Sequence, residues 1–132
     1  MKVRAFVALA LLAAALGCGG GEKSHRLSGQ AEFDGRPIAY GDVLFTPDGA
    51  RGNKGPQGIA TIRNGKYDTS ASGGKGIAGG PTVIRVTGFE SEGGKLICEY
   101  EWSVDLPRET GTFKIEVPKK GAAGKKGKGG DI

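Results

Sequence analysis

From Leu27 to Phe33 the chain alternates. Leu27, Gly29, Ala31 and Phe33 occupy one set of positions and Ser28, Gln30 and Glu32 the other, the period of a strand with one buried face. Asp34-Gly35 predicts a turn, because glycine accepts a positive φ without a Cβ clash. Pro37 has no N–H for a ladder, so the stretch up to Gly41 reads as turn or sheet edge. A second apolar run, Val43-Leu44-Phe45, ends at Pro47-Asp48-Gly49. Ile59 to Arg63 predicts a third strand with Ala60 and Ile62 inward. Asn64-Gly65 is the strongest hairpin signal in the chain. Lys66 to Thr69 then returns as a fourth strand, with Tyr67 inward.

Thr82 to Phe89 is rich in β-branched residues and predicts a fifth strand. The longest alternation runs from Lys95 to Leu106. Leu96, Cys98, Tyr100, Trp102, Val104 and Leu106 fall on one side; Ile97, Glu99, Glu101, Ser103 and Asp105 fall on the other. A one-residue slip would bury the carboxylates and expose the apolar row, so the register is fixed with Trp102 inward. Thr112 to Val117 is the last strand, with Phe113, Ile115 and Val117 inward, and Pro118 ends it. No window carries apolar residues at helical spacing. Strand and turn alternate throughout, which predicts an all-β domain over residues 26–117, a seven-stranded antiparallel sandwich. Phe33, Phe45, Tyr67, Ile84, Tyr100, Trp102 and Phe113 are the expected core.

Composition changes the picture at the two ends. The chain has 132 residues, 26 of them Gly, and a net charge of +5. Lys2 and Arg4 lie in the first 17 residues, and five lysines with Asp131 lie in residues 118–132, so the middle of the chain is close to neutral. The basic total therefore does not mark the fold as a nucleic-acid-binding surface, and no nucleic-acid partner is expected. Residues 118–132 hold little to bury and read as a disordered Lys/Gly-rich tail, removable from Lys119 onward without loss of the fold. Ser70 to Pro81 is a long Gly-rich connection and a candidate binding loop, with Lys75, Gly76, Gly79 and Gly80 as its candidate residues.

The N-terminal segment has its own logic. Lys2 and Arg4 precede an apolar run from Ala5 to Leu16, too short to span about 30 Å of hydrocarbon as a helix. It reads as an export signal over residues 1–17. Ala15-Leu16-Gly17-Cys18 resembles the bacterial lipobox. That resemblance implies cleavage between Gly17 and Cys18, acylation of Cys18, and attachment to the bilayer through its acyl chains. Each buried methylene adds about 0.8 kcal/mol, so two or three chains hold a protein at the membrane. Residues 18–25 then form a polar, Gly-rich tether. Gly19 stands where an Asp favours inner-membrane retention in familiar sorting systems. The expected location is therefore the cell membrane or outer membrane, with the domain facing the periplasm or exterior.

Ser28-Gly29, Phe33-Asp34-Gly35-Arg36-Pro37-Ile38, Gly41 to Pro47 and Gly65-Lys66-Tyr67 together resemble the carboxypeptidase regulatory-like, transthyretin-like family. The likeness covers residues 26–117 and is closest to small bacterial lipoproteins carrying one such domain behind a lipobox. It implies a prealbumin-like Greek-key β-sandwich. It implies no activity, because fold alone does not fix function.

Candidate chemistry is thin. The transthyretin-like hydrolase of 5-hydroxyisourate needs several histidines, an arginine and a Tyr-Arg-Gly-Ser terminus. This chain has one histidine, His25, and ends Gly130-Asp131-Ile132. One histidine and one remaining cysteine do not furnish a zinc site. No metal, cofactor or catalytic residue is expected. Cys98 lies between Leu96 and Tyr100 on the apolar row and reads as a small core residue. Asp34, Asp42 and Asp48 read as solvated turn aspartates, and Glu99, Glu101 and Asp105 as a wet face or a stripe for a cationic partner. Two function classes follow. One is a membrane-anchored, non-catalytic binding or structural module with an envelope protein or glycan as partner. The other is an envelope hydrolase using surface carboxylates, which for glycoside chemistry would need a carboxyl pair about 5–9.5 Å apart.

Overall fold

A computed structural model of the chain describes residues 24–123. The signal segment, the Gly17/Cys18 cleavage and lipidation site, most of the tether and the end of the Lys/Gly-rich tail lie outside the described residues. Strands dominate: β1 (Leu27–Phe33), β2 (Arg36–Pro37), β3 (Tyr40–Pro47), β4 (Gly58–Arg63), β5 (Lys66–Asp68), β6 (Gly80–Phe89), β7 (Leu96–Leu106), β8 (Gly111–Thr112) and β9 (Ile115–Val117). Two single-turn 3-10 helices, Gly49–Arg51 and Lys119–Gly121, follow β3 and β9. Among the described residues no helix is long and apolar enough to cross a membrane.

The strands join in one sheet with the order β2-β1-β5-β4-β3-β6-β7, curled into a half-barrel. The pairs along this path are antiparallel, as the hairpin signals require. Asp34-Gly35 and Asn64-Gly65 both place two successive residues at positive φ, 52° and 80° in the first and 50° and 76° in the second. That is the type I′ geometry whose twist matches its flanking strands. One pairing departs from the antiparallel expectation: β8 and β9 run parallel to β1, with Ala31 opposite Ile115 and Phe33 opposite Val117. The expected last strand is split by Phe113 and Lys114 into these two pieces.

The concave face holds the core. Leu27, Ile38, Val43, Phe45, Ile62, Ile77, Ile84, Val86, Ile115 and Val117 are essentially sealed from solvent. The core is therefore more aliphatic than the expected aromatic set. Phe45, Tyr67 and Ile84 are buried, whereas Phe33, Tyr100, Trp102 and Phe113 are only half-buried and pack against the cluster from its margin. Trp102 and Tyr100 stack there at 5.4 Å between ring centroids.

The alternation of β7 holds from Cys98 to Leu106 and fails before it. A bulge sets Phe89 opposite Leu96 and Gly88 opposite Cys98, leaving Ile97 as the extra residue. Leu96, expected inward, is 40% exposed, and Ile97, expected outward, packs against the core. The fold also runs past both expected ends. His25 forms a bridge with Ile77, and Ala122 forms one with Cys98. The Ala123 N–H donates to the Ile97 carbonyl at 2.9 Å, and Gly121 is buried beside Val117 and Tyr100. Residues 118–123 are thus a latch over β7, where the sequence reads as tail.

Candidate functional site

The Gly-rich connection before β6 is built into the fold. Lys75 pairs with Ile59 on one side through two backbone hydrogen bonds of 2.9 and 3.0 Å. Ile77 pairs with His25 through bonds of 2.8 and 2.9 Å. A Cβ on Gly76 would stand 2.7 Å from the His25 carbonyl oxygen. Gly79 and Gly80 are buried at φ 82° and 78°, with Arg108 lying across them where side chains would go. These glycines let neighbouring chain segments approach closely. Asn53, 7% exposed, fixes the end of the segment by donating its amide to the carbonyls of Gly79 (2.8 Å) and Pro81 (2.6 Å). Of the four candidate residues only Lys75 is well exposed.

Several other candidates also find structural partners, while Asp34 and Asp42 are exposed as expected. The outer-face stripe of β7 is neutralised within the sheet: Arg85 meets Glu99 at 2.9 Å and Glu101 at 3.6 Å, and Arg51 meets Asp105 at 2.9 Å. Asp48, expected to be solvated, is 8% exposed and caps the first 3-10 helix by accepting the Ala50 N–H at 3.1 Å. Cys98 is sealed, and burial pushes its thiol up to about 11, so it is no thiolate nucleophile at neutral pH. Among the described residues no three His, Cys, Asp or Glu side chains converge as metal ligands.

A feature with room for a ligand lies on the convex face, over β1, β5 and β4. It is a groove of about 650 Å³ lined by Ser28, Gln30, Thr61, Arg63, Lys66 and Asp68, with Ala71 and Ser72 at one end. The ladder registers explain its composition. Gln30 stands opposite Lys66, and Lys66 opposite Arg63; Ser28 stands opposite Asp68. Each set projects to one side of the pleat, as directly paired positions must. Arg63 lies over the Tyr40 ring, 5.2 Å from its centroid, and 3.7 Å from Glu92. Tyr40 in turn leans on Phe89, 6.5 Å between centroids. Arg63 is thus backed by an aromatic ring outside the groove, and the groove itself is lined mainly by polar side chains.

Its one carboxylate is fully engaged. Asp68 accepts from the Arg26 guanidinium at 3.0 and 2.6 Å and from the Ser70 backbone N–H (2.9 Å) and hydroxyl (2.7 Å). These bonds, Arg26's first, hold its carboxyl well below the usual carboxylate range. It is an ionised structural anchor, unsuited to proton transfer near neutrality. Tyr67, behind the floor, donates its hydroxyl to the Phe113 carbonyl at 2.7 Å, and burial raises its pKa.

The sequence reading passed over this groove, because Gln30 is far from Arg63 and Lys66 along the chain. A signal for half of it was present. A two-residue Asn-Gly turn sets its flanking residues opposite one another, so Arg63-Asn64-Gly65-Lys66 places two cations side by side. No family model matches the chain, and no curated protein and no solved structure shows a significant match to it.

Proposed function

We propose that the protein is a lipid-anchored lipoprotein of the cell envelope carrying one non-catalytic binding module of the carboxypeptidase regulatory-like kind. On this reading Cys18 is acylated after cleavage behind Gly17, and residues 18–23 span from bilayer to domain. The curled sheet is then a prealbumin-like Greek-key sandwich. Its two ends close on each other, β9 beside β1 at one margin and Ala122–Ala123 against β7 at the other, and this supports the sandwich reading.

The observation that carries the binding role is the convex groove. Its floor offers hydroxyl, amide and ammonium groups (Ser28, Gln30, Thr61, Lys66) that have no side-chain hydrogen bond among the described residues, while Asp68 beside them is saturated. A hydrolase would need a free acid and base in the same place, and the one carboxylate there is committed to Arg26 and Ser70. The anchoring half is tested by feeding cells an alkyne fatty acid and taking the mass of the N-terminal peptide. The acyl mass should sit on Cys18, and Cys18→Ala should lose both label and membrane partition. An unlabelled Cys18 in the wild-type protein refutes the anchor.

A further inference from the structure

Charges across the sheet are matched at several places. Arg85 stands opposite Glu101 and reaches Glu99 as well. Glu32 stands opposite Glu116, and there the like charges are relieved by Lys114, which lies 3.4 Å from one and 3.6 Å from the other. Arg26 is matched to Asp68 at 2.6 Å. Arg63 and Lys66 break the pattern. They are direct cross-strand neighbours of the same sign, where like charges destabilise a sheet. Glu92 approaches Arg63 only to 3.7 Å, and among the described residues Lys66 has no carboxylate partner. Both line the groove. Arg63 is oriented by its stack on Tyr40, so its fork is held ready and little freedom is lost when an anion binds.

The rest of the surroundings narrows the anion. Two cations sit beside three neutral hydrogen-bonding groups, Ser28, Gln30 and Thr61. On the same face Thr61, Asp42, Thr87 and Glu99 stand opposite one another in turn; Glu99 is held by Arg85 as Asp68 is by Arg26, so Asp42 is the carboxylate there with no ion-pair partner among the described residues. A single-stranded DNA would set a phosphate against Asp42 and offers no hydroxyl beside its phosphates for Ser28, Gln30 and Thr61 to bond. An acidic saccharide carries hydroxyls beside each acidic group, which can donate to Asp42 and bond Ser28, Gln30 and Thr61.

We propose, resting on the binding-module reading, that this groove binds an acidic saccharide. Arg63 and Lys66 clamp a carboxylate or phosphate of the ligand, and Ser28, Gln30 and Thr61 bond its hydroxyls. Lys66 and Arg63 are the specificity-determining pair.

The test uses the full-length protein in a neutral detergent, titrated calorimetrically with four probes at low and near-physiological salt: polygalacturonate, its methyl-esterified form, a phosphomannan and oligothymidylate. Polygalacturonate or the phosphomannan should bind, and whichever binds tighter identifies the acidic group as carboxylate or phosphate. The neutral ester should bind about ten-fold more weakly, the share of one charge-assisted hydrogen-bond set. Lys66→Glu should lose at least that factor while its thermal midpoint stays level or rises, because the change converts a like-charge pair into an opposite one. Arg63→Gln should lose a similar factor. Equal binding of the ester and the acid overturns the anion clamp and leaves a neutral-glycan module standing. Failure of every saccharide polymer overturns the saccharide proposal and leaves the module with an envelope-protein partner. Tighter binding of oligothymidylate than of either acidic polymer, or a fall in midpoint of Lys66→Glu that tracks its loss of binding, also overturns the proposal.

Discussion

Consider cutting the chain after Pro118 and, separately, after Ala123. The two truncations differ by the short latch of Lys119 to Ala123. That latch contributes the Ala123-to-Ile97 backbone bond at 2.9 Å and the bridge between Ala122 and Cys98. The backbone bond within that bridge is worth about 1 kcal/mol, net of water. Gly121 also sits against Val117 and Tyr100, so close that an added Cβ would lie 2.8 Å from the valine methyl and 3.2 Å from the tyrosine Cβ. Uncovering those groups exposes on the order of 50 Å² of apolar surface, or about 1 kcal/mol at ~25 cal/mol per Å². The shorter chain should therefore be less stable by about 2 kcal/mol. That is a large share of the roughly 5–15 kcal/mol that holds a domain together. The cut after Ala123 should cost less than about 0.5 kcal/mol, as surface changes do. Urea titration followed by Trp102 fluorescence gives the difference. Thiol labelling in native buffer gives a second reading, because Cys98 pairs with Ala122 and is sealed. Cys98 should react faster once the latch is gone, and the unpaired margin of β7 should promote association. Identical midpoints and identical labelling rates for the two truncations would refute this account and restore the view of everything beyond Pro118 as a dispensable tail.

Asn53→Ala removes two hydrogen bonds to buried carbonyls and leaves both acceptors without that donor, so it should cost about 2–3 kcal/mol in a urea melt; a loss under 0.5 kcal/mol would show that the segment before β6 is held by its bridges alone. Cys98 gives an alkaline signature: its folded pKa is raised to about 11 from an ordinary 9.0. Its contribution is fully present below the unfolded value and is lost as pH rises through that window, by on the order of 2 kcal/mol. Tyr67, also raised by burial, acts in the same direction from a higher starting point, so Cys98→Ala should flatten the early part of the decline; an unchanged pH profile in that variant would contradict the assignment.

Much of the fold was legible where one short stretch decides the outcome. Asp34-Gly35 and Asn64-Gly65 turn as their residue types require, and the inward row from Cys98 to Leu106 follows from its own alternation. Where a partner decides, the sequence was silent. The bulge at Ile97 depends on how Phe89 and Gly88 meet β7, and no local pattern announces it. Ile77 sat in a run of glycines and read as loop, yet it is core because His25 lies against its backbone. Aromatic size suggested Tyr100 and Trp102 as central, but β7 is the last strand of the main path and leaves its inner face partly open. The same reasoning applies to the groove. Arg63 and Lys66 were within reach of a turn rule, while Gln30 and Ser28 join them only through the pairing of β1 with β5.

The parallel pairing of β1 with β9 has a mechanical consequence. The chain enters β1 at one end of the domain and leaves β9 at the other, so tension between the termini pulls the two strands in opposite directions along their length. Their backbone bonds are then loaded together, in shear, and must yield as a group; a hairpin pulled from its open end surrenders them one at a time. Lys114, straddling Glu32 and Glu116 across the same seam, adds a lateral tie. Resistance to such a pull is governed by the unfolding rate and not by equilibrium stability. A domain of modest thermal stability built this way can therefore transmit force from one attachment point to another.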